Sequence, residues 1–386
     1  MKVFLIHTYY SKKGGEDAVF KQELSLLEKV TNVNSQSYQN STGLKGLILF
    51  LKSVWNLRVA KDLKERLLSL RPDIIHIHNW HFATGPLVIR VANSLGIKVI
   101  LTIHNYRLLC PSATLMHNNK LFLNSVNVSF PWKAVRLKVY RNSSLQTFWL
   151  SFIIWFHKKI GTWSMVDQYI CLTAFSKNLF HNSSFNIAEE KFSIKPNFVK
   201  IPEKFDIERQ KHFLFVGRLS EEKGLQMLIN TFIKTNLIIK IAGEGPLQKY
   251  LLEVASTNKN IIYLGALDSE SIQIEMQSCT ALVFPSIWYE GMPMTILEAF
   301  SLGTPVIASN IGAMATMITP NFNGLHFEVN NEKDLLEKIT YWNFLPQITQ
   351  DVYYSNSYST FLENYTPEIN LQKLLEVYVK VLKVDR

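Results

Sequence analysis

The sequence predicts an α/β fold built from two Rossmann-like lobes that face each other across a cleft. Short β-branched runs alternate with helical patterns along the whole chain, which is typical of parallel sheets covered by helices. The 386 residues are enough for two domains, each with its own core. Residues 195–206, with two prolines and few apolar positions, are the predicted linker.

Strands are predicted in both lobes. The first lobe, residues 1–198, has strand patterns at 2–7, 74–78, 98–103 and 168–172. The second lobe, residues 199–365, has them at 212–216, 237–242, 261–265, 281–285 and 305–308. Residues 366–386 form a predicted amphipathic helix that we expect to pack back toward the first lobe. Ligands of open parallel sheets bind outside the carboxyl ends of the strands, so the predicted site lies in the cleft.

The charge of the chain is unevenly distributed. Residues 1–198 hold 25 basic and 10 acidic residues, whereas residues 199–386 hold 16 and 21. No acidic residue occurs between Asp73 and Asp167, where ten basic residues lie. This asymmetry predicts an anionic partner for the first lobe: nucleic acid, a membrane surface or a phosphate-bearing lipid.

The cysteines and the hydropathy predict a cytoplasmic chain. Cys110, Cys171 and Cys279 are widely spaced, which suits a reducing compartment and fits neither a disulfide framework nor a zinc site. No run approaches the ~20 apolar residues of a membrane-spanning helix. The apolar run at the start is shorter than a secretory signal requires.

Two glycine-rich loops follow predicted strands of the second lobe. In GRLSEEKG (217–224), Gly217 permits a tight turn, and Arg218 and Lys223 place two cations beside a helix N-terminus, which suits an oligophosphate. Taken alone, the loop equally fits an ordinary connection with solvated charges. In AGEGP (242–246), glycines before a helix would let a ligand approach the backbone.

The segment WYEGMPMTILEAFSLGTPV (288–306) holds a carboxylate in an apolar context. Glu298 is the only charge between Met294 and Ser309, and an unpaired buried carboxylate is costly. Pro293 suits the start of a helix and Gly303 suits its end. Glu298 could accept hydrogen bonds from a ribose diol. Alternatively, Glu298 is an ordinary helix carboxylate whose interaction with the helix dipole stabilises the helix by less than about 1 kcal/mol.

The surroundings of Glu298 suit a nucleotide diphosphate. Glu290, in the loop before the helix, would reach the group beyond the diphosphate, for example a sugar. Free backbone N–H groups at the helix start would bind phosphate. The segment concerned is Gly291, Met292, Pro293, Met294 and Thr295.

These motifs resemble the retaining GT-B glycosyltransferases known as glycosyl transferases group 1, of the family 4 type. The resemblance rests on FVGRLSEEKG, on IAGEGP, and on Glu290 and Glu298 in the pattern E-x7-E. Further segments of the first lobe are similar to members that build bacterial surface polysaccharides. These are GGEDAVF (14–20), PDIIHIHN (72–79), HNYRLLCP (104–111), YRNS (140–143) and KPNFV (195–199). Relatives carry further cysteines after CP, whereas this chain has Val139 before Tyr140.

The resemblance implies a role for each matching residue. Arg218 and Lys223 would neutralise the diphosphate of a UDP- or GDP-sugar, Glu298 would hold its ribose, and Glu290 would hold the hydroxyls of the transferred sugar. Gly217 and the 291–295 segment would also contact the donor. Gly14 and Gly15 would let the opposite lobe close on the phosphates, and His104 would lie beside the transferred sugar. The resemblance implies neither a cofactor nor a metal, and the sequence has no D-x-D motif.

Two groups of residues leave alternatives open. His76 and His78 alternate along a predicted strand and are interpreted as packing residues rather than metal ligands. The segments 44–68 and 132–160 are basic and amphipathic, which suits helices on an anionic membrane. They equally fit helices packed on the first lobe with lysines in solvent. If these segments bind a membrane, the protein lies on the inner face of the cell membrane, beside a lipid-linked saccharide acceptor.

Three functions remain in competition. The first is a retaining glycosyltransferase of cell-surface polysaccharide synthesis (capsule, O-antigen or exopolysaccharide), without a nucleic-acid partner. The second is a nucleotide-sugar epimerase on the same two-lobed fold, which would need no acceptor. The third is a non-catalytic module that binds nucleic acid or an anionic membrane. A nicotinamide oxidoreductase is disfavoured because G-x-G-x-x-G follows none of the predicted strands.

Overall fold

A computed structural model describes residues 1–10, 14–203 and 205–383. The chain forms two compact units. The first comprises Met1–His117, Phe122–Asn197 and the segment from Asn370 onward, and the second comprises Asn118–Leu121 and Phe198–Ile369. Each unit contains a parallel sheet with helices, as the sequence predicts.

The N-terminal half contributes eight strands and seven helices within the described residues. The strands are β1 (Lys2–Tyr9), β2 (Asn32–Gln39), β3 (Ile74–Ile77), β4 (Lys98–Ile103), β5 (Met116–His117), β6 (Lys120–Leu121), β7 (Gln168–Cys171) and β8 (Phe192–Ile194). The helices are α1 (Gly15–Leu27), α2 (Gly43–Lys52), α3 (Leu57–Leu70), α4 (Leu87–Ser94), α5 (Trp132–Arg136), α6 (Ser144–Lys159) and α7 (Ala174–His181). The sheet of the first unit has the order β2-β1-β3-β4-β7-β8.

The C-terminal half contributes six strands and eight helices, counted over its described part. The strands are β9 (His212–Val216), β10 (Ile238–Ala242), β11 (Ile261–Gly265), β12 (Ala281–Phe284), β13 (Val306–Ser309) and β14 (Gly324–Phe327). The helices are α8 (Leu225–Ile233), α9 (Gln248–Thr257), α10 (Ser269–Ser278), α11 (Met294–Ser301), α12 (Met314–Met317), α13 (Glu332–Phe344), α14 (Gln347–Asn364) and α15 (Pro367–Lys383). The sheet of the second unit has the order β11-β10-β9-β12-β13-β14.

All nine predicted strands are present, and the predicted C-terminal helix is confirmed as α15. Three strands of the two sheets were not predicted: β2, β8 and β14. Strand β2, with the sequence NVNSQSYQ, has no fully buried position and pairs in parallel with β1 along its whole length. A strand at the edge of a sheet needs no apolar run, so periodicity and hydrophobicity did not reveal it.

The core of the first unit includes the C-terminal helix. Val3 and Leu5 of β1 pack in one apolar cluster with Leu374 and Tyr378 of α15. The hydroxyl of Tyr378 lies 2.9 Å from Nδ1 of His76 on β3. Helix α15 therefore packs against the sheet of the first unit at β1 and β3.

Candidate active site

In the second unit, the two glycine-rich loops pack on each other. The amide of Gly217 donates to the carbonyl of Ala242 (3.1 Å), and the amide of Leu219 donates to the carbonyl of Glu244 (2.9 Å). Gly243 has a φ of +136°, and a Cβ there would collide with the carbonyl oxygen of Gly217. The interpretation that the AGEGP glycines make room for a ligand is therefore replaced for Gly243, whose missing side chain makes room for the neighbouring loop.

This arrangement leaves Arg218 at the surface. Its side chain is exposed, and its guanidinium makes neither an ion pair nor a hydrogen bond with any of the described residues. An arginine held on a rigid turn without a carboxylate partner keeps all its donors for an anion.

Lys223 is bound to Glu290. Its Nζ donates to Oε1 of Glu290 over 2.6 Å and lies 5.5 Å from the ring centroids of Phe284 and Trp288. Ser286 Oγ donates to the same carboxylate oxygen (2.8 Å). The sequence predicted these two charged residues as separate ligand contacts, and it did not reveal that they form a pair or that Ser286 belongs to it.

Helix α11 begins as the sequence predicts. Pro293 precedes its first residue, and the amide of Ile296 donates to the carbonyl of Pro293 (3.1 Å). The amides of Gly291, Met294 and Thr295 make no hydrogen bond within the described part of the chain. Amides at a helix start carry partial positive charge, so this loop offers anion-binding donors.

The other end of α11 is fully bonded. Gly303 has a φ of +68°. The amides of Gly303 and Thr304 donate to Phe300 (3.0 Å) and Ala299 (2.8 Å), which is the Schellman arrangement and confirms Gly303 as the helix end. Arg209 also donates to the carbonyls of Leu302 (3.0 Å) and Gly303 (2.8 Å), so the negative end of the helix is neutralised.

Glu298 lies on α11, in its second turn. Its carboxylate is partly buried and makes no hydrogen bond or ion pair with the residues that the structure describes. Burial raises the pKa of Glu298 above its ordinary value. Burial thus disfavours the charged form of Glu298, and a donor such as a diol would relieve this effect.

In the first unit, a polar network is buried below the strand ends. Lys195 Nζ donates to Oε2 of Glu23 over 2.5 Å, and both side chains are 1% exposed. Nε2 of His78 lies 3.2 Å from Oε1 of Glu23, and Nδ1 of His78 lies 3.3 Å from Nε2 of His104. Lys195 was assigned to the linker from sequence, whereas its ammonium belongs to this buried network.

The contacts of this network decide between metal binding and packing for His76 and His78. The donor atoms of Glu23, His76 and His78 lie within 4.8 Å of one another, a spacing that a metal ion could use. However, the ammonium of Lys195 already holds Glu23, and a second cation there would be repelled. His76 lies within hydrogen-bond distance of Thr102 Oγ1 (2.7 Å), as a packing residue would. The arrangement fits a structural polar network better than a metal centre.

His104 is the network member at the edge of a small cavity that also touches Glu16 and Arg107. Burial, together with the neighbouring His78, holds the pKa of His104 well below its ordinary value. The imidazole is therefore neutral near pH 7, and it can exchange hydrogen bonds with hydroxyl groups without carrying charge.

Gly14 and Gly15 stand at the start of α1. The amide of Gly14 donates to Oδ2 of Asp17 (3.1 Å), and a Cβ added at either glycine would meet open space. Packing within the unit therefore does not explain these glycines.

The chain matches two family models that together cover most of its length. Residues 197–357 match the glycosyl transferases group 1, and residues 31–201 match glycosyltransferase family 4. The O-antigen chain mannosyltransferase C of Escherichia coli is 29% identical over 176 residues, which are 44% of this chain and 47% of that protein. The chain spans 36–56% of the length of this and two further curated relatives.

Two solved structures share the fold. A glycosyltransferase from Rickettsia africae superposes with a TM-score of 0.70 at 18% identity, covering all of both chains. The Anabaena protein HepE, in complex with UDP, gives a TM-score of 0.68 at 15% identity over 98% of this chain and 100% of that chain. At identities this low the likeness concerns the fold alone. The two superpositions confirm the predicted GT-B fold.

Proposed function

The chain belongs to the glycosyl transferases group 1, and from this membership we propose that it is a retaining glycosyltransferase acting on a nucleotide-diphosphate sugar. The observation that carries the proposal is Glu298. Among the described residues, its carboxylate has no hydrogen-bond or ion-pair partner, and the amides of Gly291, Met294 and Thr295 at the start of the same helix have no hydrogen-bond partner. Carboxylate and amides together suit a ribose next to a diphosphate.

The chemistry would rest on charge stabilisation of the departing nucleotide. Arg218 and Lys223 would neutralise the diphosphate as the bond to the sugar breaks. The backbone amides after Glu290 are already oriented before the reaction, and their dipoles would stabilise the same negative charge. Glu290, oriented by Lys223 and Ser286, would accept hydrogen bonds from the transferred sugar. No step in this scheme calls for a metal ion.

Residues of the first unit would act on the sugar and the phosphates. We assign to the neutral ring of His104 a hydrogen bond to a sugar hydroxyl. Gly14 and Gly15, which packing does not explain, would admit the phosphates. These roles follow the family resemblance.

The acceptor would be a saccharide, carried on a lipid, in cell-surface polysaccharide synthesis. The E. coli relative named as an O-antigen chain mannosyltransferase supports this class. Among the described residues, none of the helices is long and apolar enough to cross a membrane. Peripheral attachment to the inner face of the membrane is supported by α2, whose Leu44, Leu47, Ile48 and Leu51 are 75%, 49%, 44% and 49% exposed.

Thermal unfolding with UDP, GDP, ADP and CMP tests donor binding. A nucleotide present at 100 times its dissociation constant stabilises the native state by about 2.7 kcal/mol. We expect UDP or GDP to raise the midpoint of wild type and of Glu337→Gln, an exposed control on α13, but not of Glu298→Gln. Equal responses in all three proteins would remove the ribose role of Glu298.

A second assay separates transfer from epimerisation. Wild type is incubated with the nucleotide sugar, with and without membrane lipid extract as acceptor, and the anomeric configuration of the product is read by NMR. Acceptor-dependent release of nucleotide with retained configuration is the expected result. Conversion of the nucleotide sugar without any acceptor would favour the epimerase.

A further inference from the structure

A cavity of about 470 Å³ opens in the first unit, beside the start of α2 and the segment before α6. Its volume is in the roughly 300–1,000 Å³ range of small-molecule sites. Asn40, His81, Arg107 and Arg141 supply polar and charged groups to its wall, and Leu47 supplies an apolar one. None of these residues has a role in the donor chemistry above.

His81 is a buried polar group of this wall, as is Asn40. The residue is 2% exposed, and neither ring nitrogen has a hydrogen-bond partner in the described part of the chain. Its backbone is fixed, because its amide donates to Asn79 Oδ1 (2.9 Å) and its carbonyl accepts from Asn40 Nδ2 (3.1 Å). A buried ring that is held in place but unpaired is costly unless a bound group completes its hydrogen bonds.

Two arginines share one aromatic ring at the cavity. The guanidinium carbons of Arg107 and Arg141 lie 5.9 Å and 5.2 Å from the ring centroid of Tyr140. Nη1 of Arg107 donates to the carbonyl of Pro111 (3.5 Å), whereas its Nε is buried and has no hydrogen-bond partner among the described residues. The described lining residues include no carboxylate. Stacked guanidinium groups with free donors are typical of phosphate sites.

The cavity adjoins the pocket of His104. His81 and Arg107 line both spaces. Glu16, whose carboxylate interacts electrostatically with Arg107, lines the pocket of His104 but not the larger cavity, and it accepts a hydrogen bond from Asn105 Nδ2 (2.9 Å). An anion in the larger cavity would therefore lie next to the place assigned to the transferred sugar.

The remaining wall is apolar and continues onto the surface. Leu47 and Phe50 of α2 line the cavity, and Leu47 is continuous with the exposed leucine and isoleucine side chains of the same helix. A ligand that fits both parts combines a phosphate with a hydrocarbon chain.

We propose that this cavity binds the phosphate group of a lipid phosphate or diphosphate, with His81, Arg107 and Arg141 on the phosphate and α2 along the hydrocarbon chain. The identification of this lipid as the carrier of the sugar acceptor rests on the proposed transferase function. The binding site itself rests only on the residues of the first unit.

Calorimetric titration of the full chain tests the site with three probes: farnesyl diphosphate, inorganic diphosphate and farnesol. The variant Arg107→Gln/Arg141→Gln is compared with Arg58→Gln/Lys61→Gln, which removes two charges from exposed positions elsewhere in the same unit. We expect the first variant to bind farnesyl diphosphate at least about tenfold more weakly and the second to bind within about threefold of wild type. Inorganic diphosphate should bind more weakly than the farnesyl ester, and farnesol should not saturate.

Several outcomes would overturn the proposal. Equal losses in the two variants would mean general attraction to a basic unit, and equal affinity for the free and farnesyl diphosphates would mean a soluble ligand. Arg141→Gln alone, at an exposed position, and His81→Phe should each weaken binding, and their melting midpoints show whether they fold. If neither loses affinity while folded, the site is wrong.

Further controls separate this site from the donor site. Lys249→Gln should leave farnesyl diphosphate binding unchanged, because Lys249 is an exposed residue of the second unit with no role in the donor chemistry. Arg107→Gln/Arg141→Gln should keep the melting response to UDP or GDP. If the wild type binds farnesyl diphosphate but no nucleotide, the proposed function fails while the lipid phosphate site stands.

Discussion

Lys195 and Glu23 form a buried ion pair although they stand 172 positions apart in the sequence. The distance between Nζ and Oε2 is 2.5 Å, and each side chain is 1% exposed. Burial alone would raise the pKa of Glu23, but the ammonium of Lys195 and the neighbouring imidazole of His78 outweigh it and hold that pKa well below its usual range. The pair thus fixes the start of a series of contacts that ends at His104.

Removing one member of this pair should destabilise the first unit severely. Lys195→Met removes the ammonium that pairs with the buried carboxylate of Glu23, and breaking a buried ion pair costs about 3–5 kcal/mol. The double variant Lys195→Met/Glu23→Gln should cost less than the sum of the single variants, since it removes both charges. Urea unfolding of the four proteins measures this coupling. A loss below about 1 kcal/mol in Lys195→Met would contradict the burial of the pair.

Stability should fall in acid because buried histidines resist protonation. Burial lowers the pKa of His157 to about 4, whereas an unfolded histidine titrates near 6.5. Between these values only the unfolded chain binds the proton, so stability is lost as the pH falls from 6.5 toward 4, by up to about 3 kcal/mol from this residue. Unfolding free energies at several pH values check this. His157→Gln should show a shallower dependence, and an unchanged slope would count against the prediction.

Glu298→Gln should leave the unliganded protein as stable as wild type or more so. The pKa of Glu298 is raised by burial, so its charge opposes folding above that pKa and has no such effect once the pH is below the unfolded value. The amide removes the charge and keeps the shape. Melting without nucleotide at pH 7 measures the difference, with Glu337→Gln as control. A large drop for the Glu298 variant would indicate a structural partner instead.

Arg218→Gln should impair transfer and spare the fold. The side chain is exposed and unpartnered within the described residues, so its loss should change stability by less than about 0.5 kcal/mol. Losing a cation at the departing diphosphate should lower kcat by about 10²–10³. Steady-state transfer assays measure kcat, with Lys249→Gln as an exposed control. If both variants keep the kcat of wild type, Arg218 is an ordinary surface arginine.

Anionic vesicles should bind the basic segment around α5. Each lysine or arginine near such a surface contributes about 1 kcal/mol, so removing three should weaken binding on the order of 100-fold. The variant replaces Lys133, Arg136 and Lys138 with Gln, and its control replaces Lys211, Lys259 and Lys333, all six being exposed. Lys158 is left out because it donates to the carbonyl of Ser184. Sedimentation with vesicles gives the affinities, and equal binding of both variants would exclude this surface.

The second sheet followed well from the sequence because its strands are buried apolar runs. All five strands predicted there are present, whereas β14, a short GLHF segment, was missed. The turn before α11 and its end at Gly303 were readable because Pro and Gly act through their own backbone geometry. These signals are local in the chain.

The polar interior of the first unit could not be predicted in the same way. Glu23 appears on an amphipathic helix like any solvated acid, and Lys195 lies in a stretch that looks like a linker. Only the fold brings them together, because their partners are far apart in sequence. His81 belongs to the same class, since its isolation from hydrogen-bond partners is a property of the folded environment.

The two ends of α11 are bonded differently, and this difference bears on how the protein's specificity could evolve. Arg209 and the Schellman turn tie one end to the body of the second unit, while the amides of Gly291, Met294 and Thr295 at the other end have no partner among the described residues. The anion-facing end is thus held in position before any ligand arrives, so little reorganisation is needed when charge develops there. Under the proposed function, side-chain changes in the loop before Gly291 would alter which sugar is accepted while the amides of Gly291, Met294 and Thr295 keep their place. The evolution of specificity would then be separate from that of catalytic power.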